Sequence, residues 1–297
     1  MKIQPIDQRL CILGEGPVWN PADNRIYWID IVKGHIHSHD CSNGLQSTLE
    51  TNDMIGSFAF CEDGRIIAAL QKGLVFIDPK NGEQELIGDP ESHLPQNRFN
   101  DGKCDPAGRF WAGTLPLSED HPGGSLYRVD KDLSIHKLLG DVTISNGLCW
   151  SHDHHFFYFI DTPTLRVDQF EYDHNTGSLS NRQTILTIDP KDGYPDGMTI
   201  DQEGMLWIAH WGGWQVTRWN PSTGEKIGHI ELPVSQVTSL CFGGENFDTL
   251  FITSARRGLS EEALIKEPLA GATFIVTDIP YSGNAFHTFQ PQPTWPS

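Results

Sequence analysis

Nowhere does the sequence hold ~18 consecutive apolar residues, so nothing in it predicts a membrane-spanning helix. Its opening residues, Met1-Lys2-Ile3-Gln4-Pro5-Ile6-Asp7, lack the run of about 7–15 apolar residues that a secretory leader needs. The six cysteines, Cys11, Cys41, Cys61, Cys104, Cys149 and Cys241, form no C-x-x-C pair and follow neither zinc nor disulfide spacing. They read as small buried apolar residues of a reducing compartment, and the chain as a soluble, cytoplasmic protein. Basic residues are scarce: 21 Lys and Arg stand against 39 Asp and Glu, for a formal net charge of -18. A field of that sign repels phosphate backbones and anionic lipid heads, which excludes nucleic acid and membranes as partners, and it attracts cations. There is no G-x-S-x-G elbow, no P-loop and no G-x-G-x-x-G fingerprint. Serine hydrolase, NTPase and dinucleotide chemistry therefore have no support.

Sustained apolar spacing at i, i+3, i+4, i+7 is also missing, apart from a weak stretch over Glu261 to Lys266. What recurs instead is a polar or glycine turn followed by an apolar and aromatic strand. The instances begin at Asn24, Gly64, Gly108, His154, Gly204 and Phe247, with separations of 40, 44, 46, 50 and 43 residues. That period is one four-stranded propeller blade. Turns of the form Asp/Asn-x-x-x-Gly, at Asp40 to Gly44, Asp78 to Gly82, Asp173 to Gly177 and Asn220 to Gly224, suit hairpins between third and fourth strands. The chain therefore reads as all-β: a six-bladed β-propeller, residues 1–297 forming one domain with one central metal site. Open edges on the first and last blades are avoided if an amino-terminal strand completes the last blade, which is expected to end near Phe286.

Counting back five residues from the blade turns at Asn20, Asp105, Ser151 and Asp201 gives Glu15, Asn100, Asn146 and Asp196. All four are oxygen donors, while the other two blades offer Gly56 and Thr238. Two carboxylates and two amides converging on an axis suit a hard cation: calcium, magnesium or manganese, with zinc tolerated. Arg98, two residues before Asn100, shares its face by strand alternation and would clamp ligand oxygens. His35, His37 and His39 alternate along one strand and read as a solvated outer face, without acidic companions that would make them ligands. His210-Trp211-Gly212-Gly213-Trp214 follows a landmark strand and reads either as a wall at the channel rim or as packing.

Leu13-Gly14-Glu15-Gly16-Pro17-Val18-Trp19, Arg98-Phe99-Asn100-Asp101-Gly102-Lys103, Ser145-Asn146-Gly147-Leu148 and Pro195-Asp196-Gly197-Met198 resemble the SMP-30/gluconolactonase family. The resemblance spans nearly the whole chain. It implies a propeller with one divalent metal that hydrolyses a sugar lactone to the aldonic acid. By resemblance the metal ligands are Glu15, Asn146 and Asp196; Arg98 and Asn100 contact substrate; and Asp196 doubles as the acid/base. Asp101 is the reserve base. Some family members hold substrate through a glutamate after the strand equivalent to Ala112-Gly113-Thr114. Here that stretch departs in length and content and offers Glu119 and His121. The alternatives are a cation-binding propeller without turnover, a protein-interaction scaffold, and a phosphoester hydrolase.

Overall fold

Each of the six recurring strands lies second in a four-stranded antiparallel sheet, with one strand on its inner side and two on its outer side. The structure is a computed structural model that describes residues 1–292, so the expected domain over 1–297 includes five residues outside it. The inner strands are Gly14–Asn20, Ile55–Phe60, Asn97–Cys104, Ser145–Trp150, Tyr194–Ile200 and Val237–Gly243. The six sheets form a six-bladed β-propeller. Among the described residues helix is confined to Glu261–Lys266, where Ser260 caps the N-terminus, and to two short 3-10 turns. No helix among the described residues is long and apolar enough to cross a membrane.

The hairpin prediction holds in detail. Gly44, Gly82, Gly177 and Gly224 donate their N–H to the carbonyls of Asp40, Asp78, Asp173 and Asn220, at 2.7–2.9 Å. All four glycines have φ of 67–76°, a conformation that costs a residue with a Cβ far more. Ring closure also follows expectation: Lys2–Pro5 pairs antiparallel with Phe274–Thr277 as the outermost strand of the last blade.

The last blade, however, ends at Thr277 and not near Phe286. Asp278 takes a left-handed φ of 58°, and Pro280 has no N–H to extend a ladder. The chain then crosses the face that carries the first-to-second-strand turns. It bonds there to several blades: Gly283 N to Phe247 O, Phe289 N to Phe60 O and Gln290 N to Gly108 O.

The core lies between blades. Trp111, Trp150, Phe157 and Phe159 pack where the third and fourth blades meet; Trp207, Leu240, Phe242 and Ile252 do so between the fifth and sixth. Burying such side chains stabilises the ring by roughly 1.5–3 kcal/mol each. Five of the six cysteines are buried in this packing and none is bridged, while Cys41 is exposed. The His35, His37, His39 face is not the solvated surface expected. It belongs to a third strand covered by a fourth, so His37 is buried and bonds Thr48 Oγ1 at 2.9 Å.

Candidate active site

Every inner strand carries a β-bulge near its start. The ladder to the second strand slips between Glu15 and Val18, Phe99 and Gly102, Ser145 and Leu148, and Pro195 and Met198. It also slips between Ile55 and Ser57, and between Val237 and Ser239. A bulge adds one unpaired residue and re-aims its side chain. The residues at these slips are those counted back from the turns, and Glu15, Asn100, Asn146 and Asp196 line one cleft of about 460 Å³.

The loops into these strands are held by a repeated device. Asp30, the last residue of its second strand, accepts the N–H groups of Ile12 and Leu13 at 2.9 and 3.3 Å. Asp161 does the same for Thr143 and Ile144. Each carboxylate thus fixes the backbone just before an inner strand, upstream of Glu15 in one blade and of Asn146 in another. Satisfied buried acceptors of this kind give the site rigidity.

Asn146 Nδ2 donates to Thr162 Oγ1 at 3.0 Å, and that hydroxyl donates to the Pro195 carbonyl at 2.9 Å. One threonine therefore orients Asn146 and ties it to the strand of Asp196. Asn100 is fixed at both ends, its Oδ1 accepting from Arg98 Nη1 at 2.7 Å and its Nδ2 donating to Ser145 O at 2.7 Å. With its oxygen on Arg98, Asn100 leaves Glu15, Asn146 and Asp196 as the oxygen donors of the floor.

Two carboxylates buried together strain the floor electrostatically. Burial first, then the charge of Glu15 and of Asp101, pushes the Asp196 carboxyl well above the ordinary carboxylate range. Glu15 is raised by burial and by the charge of Asp101, and its carboxyl and that of Asp196 act on each other's ionisation. Buried like charges resist ionising together, and a divalent cation removes that conflict. Among the described residues no three His, Cys, Asp or Glu side chains gather as a cation cage. The fit is instead two carboxylates plus an amide oxygen, a hard donor set suited to a divalent cation.

Asp101 is buried and adjoins this floor without lining the cleft. Its Oδ1 accepts from Gly102 N at 2.8 Å, its Oδ2 has no partner, and its charge interacts with Lys103. Glu119 lines the rim, where Arg257 Nη1 bonds its Oε1 at 2.7 Å. His121 faces solvent beside Asp120 and lies outside the cleft. Burial lowers the Arg98 pKa to about 10, Glu119 opposing that shift and Arg257 adding to it.

Sequence reasoning missed Thr162, Tyr194 and Arg257, all of which line the cleft. A signal existed. Ile31, Glu119, Thr162, Trp211 and Arg257 lie at or just beyond the ends of second strands, so the segments following the landmark strands ring the mouth. Trp211 is thus the rim residue of its aromatic stretch, while His210 behind it is buried against Thr217.

Residues 13–256 match the family model described as SMP-30/Gluconolactonase/LRE-like region. Regucalcin of Pongo abelii is 35% identical over 97% of this chain and 98% of its own. A Bacillus subtilis protein, YvrE, that carries the name of a sugar lactone lactonase is 36% identical over 89% of this chain and 90% of its own. The crystal structure of a calcium-binding protein, regucalcin, from Agrobacterium tumefaciens superposes with a TM-score of 0.92 at 31% identity, covering 96% of each chain. A propeller with this motif set at this register belongs to the SMP-30/gluconolactonase/LRE-like family.

Proposed function

We propose that this protein is a lactonase that opens a sugar lactone to its hydroxy acid, with one divalent cation held by Glu15, Asn146 and Asp196. The observation that carries the reading is the meeting of these three side chains from three blades, in a buried floor that disfavours bare carboxylates. The names of the relatives agree with it, one as a sugar lactone lactonase and another as a calcium-binding protein.

When bound, a divalent cation supplies Lewis acidity at the lactone carbonyl. Asp196 accepts a proton from the attacking water and returns it to the ring oxygen as the ester C–O bond breaks. General acid–base transfer of this kind contributes about 10²–10⁴ in rate. Arg98, whose Nη1 is tied to Phe99 O and Asn100, keeps its other terminal nitrogen free at the cleft to donate to substrate oxygens. Asn100 keeps that guanidinium in place. The apolar rim of Leu13, Ile31, Ile144, Pro163 and Trp211 excludes water and strengthens these polar contacts.

The test is metal analysis of the purified protein, followed by acid release from a panel of sugar lactones before and after chelation. Bound metal with chelator-sensitive turnover is the expected result. Bound metal with no acid release on any lactone identifies a cation binder, and absence of bound or restorable metal favours an interaction scaffold.

A further inference from the structure

The cleft sets two arginines against one glutamate. Arg98 Nη1 is committed within the protein, to the Phe99 carbonyl at 3.0 Å and Asn100 Oδ1 at 2.7 Å. Its Nη2 makes no hydrogen bond among the described residues and lies 3.7 Å from Glu119 Oε1. Arg257 Nη1 donates to the same oxygen at 2.7 Å. Among the described residues no other carboxylate comes within ion-pair distance of either guanidinium. Arg98 is itself buried, so its free edge is aimed at the cleft rather than at bulk water.

Charge accounting then separates floor from rim. On the lactonase reading, Glu15 and Asp196 offset a divalent cation, and Asp101 does not line the cleft. The rim keeps two positive charges and one negative, which leaves one guanidinium charge without an answer. In a chain of net charge -18 this is a local reversal of sign. A planar guanidinium with a free edge matches a carboxylate better than a hydroxyl, because it presents paired donors in a fixed fork. Glu119 already marks where one carboxylate oxygen sits between the two arginines.

Resting on the lactonase reading, we propose that Arg98 and Arg257 form a carboxylate subsite, so that the substrate is the lactone of a sugar diacid. One carboxyl of that substrate is closed into the ring and opened at the floor. The other stays ionised and joins Glu119 across the two arginines, bringing the rim to neutrality. Arg257 touches only the remote end of the substrate and sets specificity; it takes no part in the bond cleavage.

The experiment compares the γ-lactones of galactaric and galactonic acid, which differ only in a terminal carboxylate against a hydroxymethyl group. The expected result is a higher kcat/KM for the galactaric lactone. Arg257→Gln should lower the ratio of the two values by at least about tenfold, the size of one charge-assisted hydrogen bond. Glu119→Gln should raise it, because a competing carboxylate is removed. Wild-type preference for the galactonic lactone, or a ratio unmoved by Arg257→Gln, overturns the subsite and leaves the lactonase reading standing. Calorimetric binding of galactarate and galactonate provides the second readout. Tighter, Arg257-dependent binding of galactarate with no lactone of the panel opened upholds the subsite and removes the lactonase reading.

Discussion

The six inner strands share one bulged geometry yet divide into two kinds. Four present Glu15, Asn100, Asn146 or Asp196 at the bulge; two present Gly56 and Thr238, which contribute nothing to the cleft lining. The two silent strands are nonetheless fitted to their neighbours. A Cβ placed on Gly56 would lie 2.3 Å from the Phe99 carbonyl carbon and 2.6 Å from Asn100 N, inside the backbone that carries a site residue. Thr238 Oγ1 donates to the carbonyl of Gly14, next to Glu15, at 2.6 Å. The same register position thus either supplies chemistry or holds the strand next door that does. A propeller fixes its axial residues through neighbouring blades as much as through their own.

Substitutions of the two kinds should fail differently. The largest effect is expected on turnover from a site strand. Asp196→Asn should keep the fold by circular dichroism while lowering kcat/KM about 10²–10⁴-fold, the usual worth of a general acid–base. Undiminished turnover would remove Asp196 from proton transfer. Gly56→Ala should do the reverse and act on stability first. Its methyl group has only backbone to displace, so a loss of about 3 kcal/mol is expected, read from the denaturant midpoint. Turnover should fall only as far as the Asn100 strand is displaced.

Thr238→Val comes next. Valine keeps the shape but leaves the buried Gly14 carbonyl without its donor, at a cost of about 1–3 kcal/mol. If Thr238 matters because it holds the Glu15 strand, the affinity for divalent cations should weaken along with the melting temperature. A stability loss with unaltered cation affinity would reduce Thr238 to a core residue.

The blade count, the place of the hairpins and the four donor positions were legible because each depends on a repeat along the chain. Spacing from the turns works as a ruler when every blade adds one bulged residue at the same place. Alternation alone fails at a bulge: Asp101 follows Asn100, yet both are buried beside the floor, which a strict period of two forbids. Arg257 and Thr162 were invisible for another reason. They act on partners 138 and 33 residues away, Glu119 and the Pro195 carbonyl, and no local pattern encodes a contact between blades. The end of the last blade was misjudged because Phe286 belongs to a strap that crosses the ring, apolar like a strand but paired only at isolated points.

The smallest expected effect sharpens the comparison from within a site blade. Pro195, beside Asp196, pairs across the ladder with His210, whose Nε2 bonds Thr217 Oγ1 at 2.6 Å and whose Nδ1 has no partner. This strand, which packs through Gly197 against Ser239 of a silent strand, is thus also backed by its own blade. Burial lowers the His210 pKa from 6.5 to about 4. Between those values the unfolded chain binds a proton that the folded protein refuses, so stability falls as pH drops through this window. The contribution is present in full above the unfolded value and progressively lost below it, by about 1–2 kcal/mol at a pH of about 5–5.5 and roughly 3 kcal/mol across the whole window. His210→Gln should flatten that part of the stability curve, measured as the urea midpoint at a series of pH values. Parallel curves for the two proteins would mean that acid reaches the Asp196 blade through some other group.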